Sequence, residues 1–221
     1  MSVAIGLFDS FDNLDQIESA QIARWLALPP SEFYLKNYLA NKILYPQTVP
    51  ISASDIKIDL AILREALRIN SQTASQKESP MLGENPFINL TLRKILIPKR
   101  FLKFMPDLIT LSWAFIDGLL LERKREDFFS DIWTVVLTSD IDEVVGSIIL
   151  PQFSDKGGLV KITLLGNEYQ VKAGSLTVIP CPSQKCQLDF RFIQGKILDK
   201  EDIAIEVYGG KLGLMIDGRR T

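Results

Sequence analysis

The sequence predicts an α+β protein, an N-terminal helical part followed by an antiparallel β-sandwich or barrel. Three observations carry this expectation. Apolar residues recur at three- and four-residue spacing before residue 70, a polar stretch without apolar period follows, and short apolar runs separated by glycine-bearing turns fill the chain from Ile132 onward. They divide the chain into a helical subdomain at 1–70, a flexible linker at 71–86 and a β-rich domain at 87–221.

The elements follow in order. Val3–Phe8 is a short apolar run suited to an edge strand or a docking arm. Asn13 and Asp15 open an amphipathic helix to about Leu28, with Ile17, Trp25 and Leu28 near one face, and Pro29-Pro30 ends it. Ser31 caps a second helix to about Leu44, whose apolar positions are Phe33, Leu35, Tyr38, Leu39 and Ile43. The prolines at 46 and 50 hold the next segment extended. Ser52 and Asp55 have capping-box spacing ahead of Ile56, Leu60, Leu63 and Leu67, the most regular helical stripe in the chain. From Asn70 to Asn85 the polar stretch reads as linker or flexible excursion.

Leu90, Leu92, Ile95 and Ile97 alternate loosely with polar residues, and Pro98 rules out a continuous helix, so a strand and a turn are expected. Leu108–Leu121 is apolar without a period and fits helix or strand equally; Asp117 and its 14-residue length leave it short of the ~20 residues of a spanning helix. Beyond it, strands are expected at 132–138, 147–150, 159–164, 169–172, 176–179 and 187–193. The last pair, Ile203–Val207 and Leu212–Ile216, reads as a hairpin closed by Gly209-Gly210, glycines supplying the positive φ angles of a tight turn.

Composition narrows the function. The 221 residues carry 25 Lys and Arg against 27 Asp and Glu, a net charge of −2, which argues against nucleic acid and strongly charged partners. The start of the chain lacks a basic region and a long apolar run, and there are only two cysteines, so a cytoplasmic protein without an integral membrane segment is expected. The absence of histidine excludes Ser-His-Asp and Cys-His machinery and every histidine-containing zinc site. Neither phosphate-binding glycine motif occurs. No catalytic residue, metal ligand set or cofactor is therefore assigned.

Three constellations remain. Arg93, Lys94, Lys99, Arg100 and Lys103, with Phe101 and Phe104, form a basic run without an intervening acid. Such a run can track phosphates or meet a membrane surface, but lysines on a strand edge also discourage edge-to-edge pairing, and the net charge favours that solvated reading. Asp140, Asp142 and Glu143 lack the spacing and glycine of a calcium loop and read as a solvated turn. Cys181 and Cys186 cannot complete a zinc site within one chain. In a reducing compartment they are two ordinary loop thiols, while their spacing also suits the ends of a hairpin loop, where oxidation joins them if the geometry permits.

Two stretches carry a family resemblance. Asn37–Pro50 (NYLANKILYPQTVP) followed by Ala61–Leu67 (AILREAL) resembles a segment of the MutL-type glutamate mutase accessory proteins. Gly174–Pro180 (GSLTVIP) and Tyr208–Arg219 (YGGKLGLMIDGR) resemble their β-rich C-terminal end, in the same order. The resemblance implies kinship with the actin and Hsp70 ATPase superfamily and association with cobalamin-dependent mutases. It does not extend to the nucleotide-binding loops: Asp9-Ser10-Phe11 lacks their D-x-G pattern, and Arg219-Arg220-Thr221 departs from the family's ending. The implied protein is a relative of the C-terminal half without its own ATPase.

The reading that follows is a non-catalytic interaction or assembly module, its partner another protein or its own copy. The alternatives are an accessory subunit of an actin-like ATPase or cobalamin-dependent mutase system, and a carboxylate- or metal-dependent enzyme with its site in a β-barrel mouth.

Overall fold

A computed structural model describes residues 11–46, 48–78, 92–103, 107–120, 129–182 and 185–219. The apolar run at Val3–Phe8 lies outside them. The fold is α+β, and the described elements divide into a helical unit and a β unit.

The helical unit is built around its longest helix. A short 3-10 segment, Phe11–Gln16, precedes helices α1 (Ser19–Ala23), α2 (Glu32–Leu44), α3 (Ala53–Glu78) and α4 (Leu108–Leu120). The single helix expected from Asn13 to Leu28 is broken because Glu18 is extended (φ −96°, ψ 148°), and its N–H donates to the Gln21 side chain at the start of α1. Ser31 caps α2 as expected, accepting the Tyr34 N–H. The Ser52–Asp55 capping box is reciprocal, both bonds 3.0 Å long. Between Ile58 and Leu63 α3 is buried on every side, as a helix at the centre of a bundle must be.

One expectation shifts here and one open reading closes. α3 continues to Glu78, into the stretch read as linker, because Ser71–Glu78 contains neither glycine nor proline and only Pro80 disfavours helix in the residue before it. Leu108–Leu120 resolves as helix, with Asp107 accepting the N–H groups of Ile109 and Thr110 at its start.

The β unit holds two packed sheets. The first contains β1 (Leu92–Pro98), β2 (Phe129–Thr138), β3 (Glu143–Ile149), β7 (Leu176–Ile179) and β11 (Gly213–Asp217) in the order β1-β2-β3-β11-β7. It is mixed, since β1 runs parallel to β2 and β11 parallel to β3. The second contains β5 (Leu159–Leu164), β6 (Asn167–Lys172), β8 (Cys186–Ile193) and β10 (Asp202–Val207), antiparallel throughout in the order β10-β8-β5-β6. The small strands β4 (Gln152–Phe153) and β9 (Gly195–Lys196) pair separately. Ile149, Ile179, Leu214 and Ile216 of the first sheet share one core with Val160, Ile162, Leu188, Phe190 and Val207 of the second. The alternation expected in β8 is present: Leu188 and Phe190 are buried, Asp189 and Arg191 exposed.

The hairpin expected at Gly209-Gly210 is not formed. β10 pairs with β8 in one sheet, and β11 pairs with β7 and β3 in the other. Alternation shows that a segment is a strand but not which strand it joins. β7–β8 and β10–β11 instead make one long hairpin, bent where both arms cross between sheets, with its tip at 194–201. At the bend the Gly210 N–H donates to the Cys181 carbonyl at 2.8 Å. Gly210 has a φ of 138°, and a Cβ there would lie 2.8 Å from the Val145 carbonyl oxygen, so the crossing needs glycine for conformation and for space.

The same bend corrects the reading of two ordinary loop thiols. Cys181 and Cys186 are both buried, and the structure joins them with an S–S distance of 2.14 Å. Cys181 follows the end of β7 in the first sheet and Cys186 opens β8 of the second, so the bond spans the crossing.

Candidate interaction surface

α2 is held to the bundle by a polar cluster and two leucines. Leu35, Leu39 and Lys42, spaced at four and three, share its buried side. The Lys42 ammonium donates to Asp59 Oδ2 and to the Thr48 carbonyl, each at 2.7 Å, and the Tyr38 hydroxyl donates to Asp59 Oδ1 at 3.0 Å. Burial raises the Asp59 carboxyl above its ordinary value, with the bonds from Lys42 and Tyr38 opposing the rise. Burial, followed by the charge of Asp59, raises the Tyr38 hydroxyl well above the phenol range. Tyr38 stays a neutral donor, and the cluster fixes α2 at the level of Asp59.

A second polar set holds α3 to α1 and α4. The fully buried Glu65 accepts from Arg24 Nε and Nη2 at 3.0 and 2.6 Å, from Trp25 Nε1 at 2.5 Å and from Arg68 Nε at 2.9 Å. Arg64 donates to Asp117 at 2.9 Å, and the guanidinium groups of Arg24 and Arg64 both lie over the Trp25 ring. These groups satisfy one another, which a buried charge requires.

The outward side of α2 inverts the usual pattern. Phe33, Asn37, Ala40 and Leu44 recur at four, three and four, opposite the buried stripe, and all are exposed, Phe33 at 76% and Leu44 at 70%. The helix turns a lysine inward and a phenylalanine and a leucine outward. Eight of the fifteen large hydrophobic residues found exposed among the described residues lie between Leu28 and Ile51, with Leu28 at 92% and Ile51 at 97%. Scattered exposed hydrophobics are normal, whereas a concentration in one segment makes that segment a candidate contact surface.

The sequence did not yield this surface, because Phe33 and Ile43 were assigned to the core-facing stripe. The available signal was the second stripe through Phe33, Ala40 and Leu44, together with Lys42 on the side of Leu35 and Leu39.

The basic run is distributed differently. Arg93 and Lys94 lie on β1, an end strand of the first sheet, and Lys99, exposed, directly follows it. Arg100 and Lys103 lie on the 3-10 segment Lys99–Lys103, and the division between units falls between Lys99 and Arg100. The described structure therefore presents the run as a strand edge and a connecting turn. Asp140 and Asp142 are exposed in the turn joining β2 to β3, and Glu143 pairs with Lys211 at 2.7 Å. The Lys211 bond holds the Glu143 carboxyl below its ordinary value.

No family model, curated protein or solved structure matches the chain. The surface is thus read from its own chemistry. Among the described residues no group of three potential ligands can hold a metal ion, and no helix is long and apolar enough to cross a membrane.

Proposed function

We propose that the chain is a non-catalytic interaction or assembly module that engages a protein partner through the outward side of α2. The observation that carries this reading is the inverted helix: Lys42 faces Asp59 inside while Phe33 and Leu44 face solvent. A helix serving only its own core gains nothing from exposing those two side chains, whereas covering them contributes roughly 1.5–3 kcal/mol each. The test is affinity capture from lysate with the full chain and with Phe33→Glu, alongside light scattering of both proteins. Phe33 is exposed, so the variant keeps its circular dichroism, and the reading expects it to lose the partner or the self-association of the parent. A parent that is monomeric and recovers no partner refutes it.

The second reading, an accessory subunit of an actin-like ATPase or cobalamin-dependent mutase system, rests on the resemblance carried by the sequence. The two C-terminal segments with the family resemblance include β7 and β11, neighbouring antiparallel strands of one sheet. Neighbouring genes test it: a mutase or a separate ATPase half supports the reading, and their absence counts against it.

A further inference from the structure

We infer that the partner at this surface is a second copy of this chain, with α2 packed antiparallel against α2 about a two-fold axis; this rests on the reading of the outward face given above. The first argument is charge. The seam Phe33, Asn37, Ala40, Leu44 is uncharged, and its charged neighbours Glu32 and Lys36 neutralise each other at 2.7 Å. A copy meets it without like-charge cost, and the seam offers a charged partner nothing to select.

The second argument is the asparagine. Covered by an apolar partner, Asn37 would lose its water and gain nothing, a penalty of about 1–3 kcal/mol. In an antiparallel pair whose axis passes midway between Asn37 and Ala40, the two Asn37 side chains lie about 4.5 Å apart along the helices, three residue rises. Each stands beside the small Ala40 of the other copy, within reach of a reciprocal amide hydrogen bond. Two-fold symmetry supplies the missing donor and acceptor, as a single polar seam residue does when it fixes register in paired helices. The large residues then meet end to end, Phe33 against the other copy's Leu44, and the helix dipoles oppose.

Size sets the strength. A 13-residue helix is about 20 Å long and its seam covers less than the ~800 Å² per partner of a standard interface, so dissociation is expected in the micromolar range. Sedimentation equilibrium over roughly 5–500 μM brackets that range.

The decisive experiment exchanges charge at the axis. Asn37→Asp and Asn37→Lys are expected to be monomeric when separate and dimeric when mixed in equal amounts, while the parent dimerises with concentration. A parent that stays monomeric throughout, or an Asn37→Asp protein that dimerises as the parent does, overturns the inference. Phe33→Glu separates the two levels of the reading. A monomeric parent whose captured lysate partner is lost in Phe33→Glu removes the copy and keeps the surface, whereas a dimer that persists in Phe33→Glu removes the surface itself.

Discussion

Replacing Lys42 by methionine tests how α2 is fastened. Lys42 and Asp59 side chains are only 8% and 5% exposed and meet at 2.7 Å. Methionine fills the lysine's space but leaves Asp59 with Tyr38 as its one side-chain donor. A buried carboxylate without its cation takes up a proton, and the cost of that proton limits the damage. With an ordinary value of 3.8, neutralising the carboxyl at pH 7 costs about 4 kcal/mol, and at pH 5 about 1.6 kcal/mol, at 1.36 kcal/mol per pH unit. The figure at pH 7 falls within the roughly 3–5 kcal/mol typical of breaking a buried pair.

The pH dependence has a definite sign. A raised folded-state value means that the native protein binds more protons than the unfolded chain between the two values, so stability falls as pH rises through that window and is retained below 3.8. The parent shows a shallow form of this slope, because Asp59 is already raised there, and Lys42→Met steepens it. Urea unfolding followed by helical circular dichroism at pH 5 and pH 7 measures both. Lys42→Met/Asp59→Leu, with both charges gone, should recover most of the loss. A loss below about 1 kcal/mol at pH 7, or one that does not shrink at pH 5, refutes the buried ion pair.

Other elements give sharper single outcomes. Unfolded without reductant, the protein should show no titratable thiol, and Cys181→Ser/Cys186→Ser should lose about 2 kcal/mol, the loop-closure entropy of so short a loop. Gly118→Ala should destabilise despite a helix-propensity gain of up to about 1 kcal/mol, because the added Cβ would lie 2.7 Å from Leu67 Cβ and 2.8 Å from the Arg64 carbonyl oxygen; a raised melting temperature would show that α3 and α4 are less closely packed. Ser147→Ala removes one hydroxyl that both donates to the Tyr208 carbonyl at 2.8 Å and accepts its N–H at 3.0 Å. A loss of about 1–3 kcal/mol is expected in thermal unfolding, and a neutral result would mean that water replaces the hydroxyl.

Much of the fold was legible because local chemistry decided it. Ser31, the Ser52–Asp55 box and the alternation of Leu188 and Phe190 act within a few residues, and each appears where expected. What failed depended on distant partners. Val207 pairs with Cys186, not with the strand beyond Gly209-Gly210, and nothing within either strand encodes that choice. Ser71–Glu78 lacks an apolar period, but a polar segment needs only continuity and no breaker to extend an established helix. The surface at α2 was hidden by the assumption that apolar residues at helical spacing face inward. The inward lysine reverses it, and its partner Asp59 lies 17 residues away.

The seat of β11 has a consequence for how the β unit can go wrong. This strand joins β3 to β7 and bridges otherwise separate parts of the first sheet. Before it docks, Gly146–Ile149 and Leu176–Ile179 each carry an open row of backbone donors and acceptors, and each row is apolar but for one hydroxyl residue, Ser147 in the first and Thr177 in the second. An unpaired strand of that kind can also accept the β11 segment of a neighbouring molecule, which competes with the tethered one as protein concentration rises. A chain caught at that stage is therefore prepared for strand exchange between molecules, and the speed with which Gly213–Asp217 finds its slot sets how long the hazard lasts.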